Sequence, residues 1–155
     1  MLVRNGDIWL YLPRTSNVIR IAPLQRVFGA ASIADLLNVS YLHGYTLENS
    51  KILDDGHLLN LDLKSKNRTA TFARINFDFD LDAGVPTQSR HFTASNRLLK
   101  TIEYKAFQDF DGEQKVAKIV IHDALRTNSA IWIRMSNYRK ATYPDAMFTK
   151  MALSR

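Results

Sequence analysis

The segment TFARINFDFDLD, residues 71–82, alternates apolar and polar side chains without a break, and this constrains the fold more than any other feature. Apolar residues hold every second position, at Ala73, Ile75, Phe77, Phe79 and Leu81. Successive side chains point to opposite faces of a β-strand, so the alternation predicts a strand with one apolar and one solvated face. The chain must therefore form a sheet that buries one side.

Further segments have the composition of strands, and short turn-forming sequences separate them at regular spacing. These segments cover residues 7–12, 17–22, 45–53, 57–66, 87–94, 97–110, 115–124 and 129–138. Asp55-Gly56 lies between two of them and is typical of a tight β-hairpin. The sequence has no βαβ alternation and no fixed-period repeat, so the pattern indicates an antiparallel meander of about seven or eight strands.

The best helical segment is ASIADLLN, residues 31–38, with Ser32 as a capping residue. Its apolar residues fall on one helical face, at Ile33, Leu36 and Leu37. A short helical turn is also predicted at YPDAMF, residues 143–148, with Pro144 at its start. We therefore predict a mainly β fold, in which a strongly curved antiparallel sheet carries helix 31–38 on its concave side.

Composition narrows the class of protein. The 155 residues suit one domain, and we treat residues 1–155 as a single unit. The chain has no cysteine, which excludes disulfides and thiolate metal sites. No run of about 18 apolar residues exists, so no transmembrane segment is predicted. The formal net charge of +6 favours an anionic partner, or it serves only solubility.

Motifs for catalysis and cofactor binding are missing from the sequence. The histidines have no metal-ligand spacing and stand at His43, His57, His91 and His122. Residues 78–84, DFDLDAG, imitate the start of a calcium loop, but Ala83 and Ser89 stand where the loop requires glycine and glutamate. No glycine-rich nucleotide cradle and no nucleophile elbow is present. We therefore predict a protein that is not an enzyme and has no metal site and no cofactor.

The sequence also argues against nucleic acid as the partner. Basic residues are spread along the chain, and the RNP1-type run of RNA-binding sheets is absent. Phe77 and Phe79 could stack on bases, but Asp78 and Asp80 lie next to them and would repel phosphate. We expect no nucleic-acid partner.

The predicted sheet has more apolar surface than one short helix can cover. A curved sheet half closed over a small helix leaves an apolar cavity, as in ligand-holding barrels. The candidate lining residues are Leu59, Leu61, Ile75, Phe77, Phe79, Ile131 and Ile133 on the strands, with Leu36 and Leu37 on the helix. The alternative is that the sheet rolls up and fills its own interior, in which case the same residues form an ordinary core.

Four stretches, in order, resemble a known family. The hairpin at residues 7–21, DIWLYLPRTSNVIRI, carries bulky side chains on both faces. Residues 97–107, RLLKTIEYKAF, residues 116–138 and residues 143–155, YPDAMFTKMALSR, follow it. Together they resemble the outer-membrane lipoprotein-sorting family of LolA/LolB-like proteins over nearly the full chain.

The resemblance implies an incomplete antiparallel β-barrel with helices across its concave face and a cavity for lipoprotein acyl chains or another amphiphile. It also implies a non-catalytic protein of the bacterial periplasm, which transports its cargo in outer-membrane lipoprotein sorting with an inner-membrane transporter as a partner. Members of the family are longer and carry a signal peptide. We therefore expect this chain to be the carboxyl-terminal part of a longer exported protein.

The residues themselves leave two other functional classes open. One is a protein-interaction accessory domain of an envelope transport system that holds no lipid, and the other is a single-stranded nucleic-acid binder. A cavity would favour lipid binding, and a filled interior with an apolar outer patch would favour protein interaction. Steeply salt-dependent oligonucleotide binding would favour the third class.

Overall fold

The computed structural model describes residues 1–4, 7–22, 26–28, 31–32, 44–67, 72–126 and 130–154. Within these residues the chain forms strands β1 Leu2–Arg4, β2 Asp7–Leu12, β3 Asn17–Ile21, β4 Arg26–Phe28, β5 Ala31–Ser32, β6 Tyr45–Leu53, β7 Leu58–Ser65, β8 Arg74–Asp80, β9 Val85–Phe92, β10 Leu98–Phe110, β11 Glu113–Asp123 and β12 Ala130–Arg134. Short 3-10 helices cover Asp54–Gly56, Asp145–Phe148 and Met151–Ser154.

Seven strands form one open antiparallel sheet in the order β12-β11-β10-β9-β8-β7-β6. Each strand pairs with the strand that precedes or follows it in the sequence, which is the topology of a meander. Strands β1, β2 and β3 form a separate small sheet, and β4 pairs with β5. The predicted mainly β, antiparallel fold is confirmed.

Local chemistry explains where the strands turn. The β6–β7 connection contains the Asp-Gly pair, and Gly56 has a φ of +106°, a conformation that favours glycine. Strand β8 ends at Asp80, because its carboxylate accepts hydrogen bonds of 2.9 Å from the backbone N–H groups of Asp82 and Ala83. Strand β8, at Arg74–Asp80, is therefore shorter than the strand that the sequence predicts over residues 71–82.

The helix predictions have different outcomes. Ala31 and Ser32 form a strand, so a helix beginning at Ala31 is wrong, and residues 33–38 lie outside the described part of the chain. The turn predicted after Pro144 is confirmed as the 3-10 helix Asp145–Phe148.

One face of the large sheet is polar and internally hydrogen bonded. The amide side chains of Asn60 and Asn76 bond to each other at 3.0 and 2.9 Å. Arg90 pairs with Asp78 at 2.8 Å, and Asn60 also donates to Asp78. Asp78 is only 5% exposed as a result, although the sequence predicts a solvated carboxylate there.

Buried apolar residues form three clusters. One lies on β10 and β11 around Ile102, Ile119 and Ile121. The second joins Tyr45, Phe72 and Ile75, and the third joins Ile8 to Ile21 in the small sheet. Among the described residues, the first two clusters therefore belong to the large sheet and the third belongs to the small sheet.

Candidate functional site

The face opposite the polar network is apolar across most of the large sheet, and we call it the apolar face. Cross-strand partners on β7 and β8 repeat this chemistry in three successive rows: Leu59 opposite Phe79, Leu61 opposite Phe77, and Leu63 opposite Ile75. Side chains on directly opposite residues of antiparallel strands share a face and touch. The alternation in β8 and the leucines of β7 therefore build one continuous surface.

Four of the predicted lining residues are only half-buried. They are Leu59, Leu61, Phe77 and Phe79, which we call the open patch. Phe77 contacts the ring of Tyr104 edge-on, with 5.9 Å between centroids, so its position is fixed on the β10 side. The surface continues onto β6, where Ile52 lies opposite Leu59 and is 66% exposed.

The other predicted lining residues have different surroundings. Ile75 is fully buried and packs with Tyr45 and Phe72, as a core residue does. Ile131 and Ile133 are half-buried and pack against the β10–β11 cluster. Leu36 and Leu37 lie outside the described residues. The four residues of the open patch therefore lie together at the surface of the apolar face. Ile75 lies on the same face but is covered by the core.

A polar cluster interrupts the apolar face on β9 and β10. No pattern in the sequence predicts this cluster. Ser89 and His91 are almost fully buried, opposite Phe77 and Ile75 respectively. The Ser89 hydroxyl lies 2.9 Å from His91 Nε2 and 3.2 Å from the Tyr104 hydroxyl. Buried polar groups are stable only when hydrogen bonded, and this hydroxyl joins two of them.

Replacing Ser89 by alanine is expected to lower the free energy of unfolding by about 1–3 kcal/mol, because His91 and Tyr104 each lose a buried hydrogen-bond partner. Urea unfolding measures the loss. Ser95→Ala is the matched control, since the Ser95 hydroxyl bonds to Thr93 on an exposed turn and its removal should change little. Equal losses for the two variants would contradict the importance of the polar cluster.

The hydroxyl of Tyr45 holds the segment before β8 onto the end of the sheet. It donates to the Phe72 carbonyl at 3.0 Å and accepts from the Phe72 N–H at 3.3 Å. Burial raises the pKa of Tyr45 above its ordinary value, and the hydrogen bond to the Phe72 backbone opposes this in part. The hydroxyl therefore stays protonated and keeps its role as a donor.

The hairpin β2–β3 places its two bulky faces in different surroundings. Ile8 and Ile21 are opposite each other and buried, with Leu10 packed against them. On the other face, the ammonium of Lys150 lies 4.5 Å from the centre of the Trp9 ring. The carboxyl-terminal 3-10 segment thus meets the second face of this hairpin.

A cavity of about 740 Å³ lies at the β7–β8 end of the sheet and is bounded mainly by charged and other polar side chains. Arg74 pairs with Asp62 at 2.6 Å, and Lys64 pairs with Glu48 at 3.4 Å. These cations already have anionic partners, so the cavity is a poorer ligand site than the open patch. Among the described residues, no group of three side chains could hold a metal ion.

Residues 1–155 match the model of a family described as uncharacterized protein. No curated protein matches the sequence. No helix in the described part of the chain is long and apolar enough to cross a membrane.

Three solved structures share the fold. A LolA superfamily protein from Nitrosomonas europaea superimposes with a TM-score of 0.80 and 26% identity, over 95% of this chain and 68% of that one. A DUF1329 family protein from Desulfovibrio piger gives 0.76 and 23%, over 98% of this chain and 66% of that one. A domain from Vibrio parahaemolyticus named for outer membrane lipoprotein sorting gives 0.77 and 17%, over 96% and 66%. The chain thus spans about two thirds of the length of these proteins.

Proposed function

This chain belongs to a family described as uncharacterized protein and has a LolA-like fold, and we propose that it is a non-catalytic carrier of amphiphiles. The cargo would be the acyl chains of lipoproteins or another amphiphile, bound reversibly on the apolar face. The Nitrosomonas protein is named a LolA superfamily protein, and the Vibrio domain is named for lipoprotein sorting. These names describe those two proteins, and they support the proposal for this chain through the shared fold.

The observation that carries the proposal is the open patch. Two leucines and two phenylalanines lie side by side on β7 and β8, and each remains partly exposed to solvent. An acyl chain laid on this surface gains about 0.8 kcal/mol for each methylene group that leaves water. Such binding needs no reacting group, and it can be reversed by any partner that offers the acyl chain an equal apolar surface.

We further propose that the protein acts in the periplasm and receives its cargo from an inner-membrane transporter. The similarity to a domain named for outer membrane lipoprotein sorting and the chemistry of the patch support this proposal. A lipoprotein acyl chain that crosses an aqueous compartment needs an apolar shelter, and the apolar face supplies one. The basic net charge of +6 would also favour approach to anionic membrane surfaces.

The test is a titration with fluorescent fatty-acid probes that share one headgroup and differ in chain length. We expect affinity to rise with each added methylene until the apolar face is filled, and to change little with salt. Affinity that does not depend on chain length would contradict the proposal. A single-stranded oligonucleotide serves as the comparison ligand, because its binding would be steeply salt-dependent.

A further inference from the structure

Strand β6 forms one edge of the large sheet and is exposed along almost its whole length. In the part of the chain that the structure describes, β6 pairs with β7 on one side and with no strand on the other. Residues 46–53 are all exposed, including Leu47 and Ile52, at 57% and 66%. An exposed edge strand with apolar side chains is a template for pairing with another strand.

A β-bulge in β6 decides which side chains share a face. The pairing with β7 shifts register between Leu47 and Asn49, so Glu48 is the extra residue. Leu47, Ser50 and Ile52 therefore all lie on the apolar face, where they oppose leucines of β7. Lys51 lies on the polar face opposite Asn60, and Glu48 reaches Lys64 on that same face.

This arrangement is complementary to itself, and we propose that two copies of the chain pair through their β6 strands. The strands would run antiparallel, with the twofold axis at Ser50. Because Glu48 is an extra residue in the bulge, Leu47 and Ile52 are each two sheet positions from Ser50, and Leu47 of each chain then lies opposite the partner's Ile52 on the apolar face. The two residues of the bulge, Glu48 and Asn49, together lie opposite the partner's Lys51 on the polar face. Each contact occurs twice, and apolar and opposite-charge cross-strand pairs both stabilise a sheet.

The charges also select this register over its neighbours. Charged residues on an edge strand usually prevent pairing with other strands. A twofold axis at Lys51 would place two ammonium groups opposite each other, and an axis at Glu48 would do the same with two carboxylates. Of these three axes only the one at Ser50 joins unlike charges, so the charges of β6 oppose the other two registers.

The experiment measures the mass of the chain in solution by light scattering and sedimentation, with charge-exchange variants. One short strand buries less than a standard interface, so we expect a dimer, twice 17.7 kDa, at about 0.1–1 mM protein. Glu48→Lys and Lys51→Glu each create like-charge pairs and should be monomeric. The double variant should dimerise again. A mixture of the two single variants should form a heterodimer, because every charge pair is then restored.

The control is Arg139→Glu, which changes the net charge as Lys51→Glu does but lies on an exposed segment away from β6. It should dimerise like the unchanged chain. A monomeric mass at 1 mM, or a dimer that neither single variant weakens, would overturn the proposal. A dimer weakened by both variants but not restored in the mixture would show that residues 48 and 51 do not face each other across the interface, and would also overturn the proposal.

Discussion

Replacing Phe72 by alanine is expected to lower the free energy of unfolding by about 3–5 kcal/mol, the usual cost of emptying a large aromatic site in a core. Phe72 is 1% exposed and packs with Tyr45 and Ile75. Its ring meets His91 edge-on at 4.4 Å, and the ammonium of the buried Lys100 lies 5.5 Å from its centre. Truncation therefore leaves a cavity and also removes a favourable neighbour of a buried cation.

Urea unfolding at constant m-value measures this loss. A domain of this kind has a total stability of only about 5–15 kcal/mol, so the variant should unfold at a much lower urea concentration. The control is Phe148→Ala, because Phe148 is about half exposed on a carboxyl-terminal turn. A loss below about 1 kcal/mol for Phe72→Ala would show that this part of the sheet is not packed as the structure describes.

Replacing Phe77 by alanine is expected to weaken binding of an acyl probe about tenfold, which corresponds to about 1.4 kcal/mol of lost apolar contact. Phe77 is one of the four residues of the open patch, opposite Leu61 and edge-on to Tyr104. A half-exposed ring has fewer protein neighbours to lose than Phe72. The loss of stability should therefore be smaller than that of Phe72→Ala. Probe affinity and urea unfolding are measured on the same samples.

Phe92→Ala is the matched control, since Phe92 lies opposite Arg74 on the polar face and its loss should leave probe affinity unchanged. Phe77→Trp provides a second check, because it keeps an apolar aromatic ring at this position and should retain more of the probe affinity than Phe77→Ala does. Unchanged probe affinity in Phe77→Ala, combined with a core-sized loss of stability, would remove Phe77 from the binding surface.

The sequence could predict which residues share a face, but not which of them are covered. Ile75, Phe77 and Phe79 are equivalent in the alternation of β8, since periodicity records only the direction of each side chain. Whether a side chain is covered depends on residues far away in the sequence. Tyr45 and Phe72 cover Ile75 completely and leave Phe77 half exposed.

The same limit explains why the burial of three polar residues is not predicted from the sequence. Ser89 and His91 are on the apolar face, but Gln88 and Arg90, which flank Ser89, are also polar, so β9 shows no alternation to interpret. Asp78 looks like a solvated carboxylate in its own strand. Its burial comes from side chains of β7 and β9, whose register a single segment does not contain.

The most direct measurement of the carrier function is extraction of the protein, purified from its native host, with organic solvent, followed by mass spectrometry of the extract. We expect an acyl-containing amphiphile in stoichiometric amount. The amount should fall sharply in Leu61→Asp, which places a charge in the open patch. It should persist in Trp132→Asp, the same change at an exposed residue of the polar face. An extract without acyl chains, or equal amounts from both variants, would contradict the account.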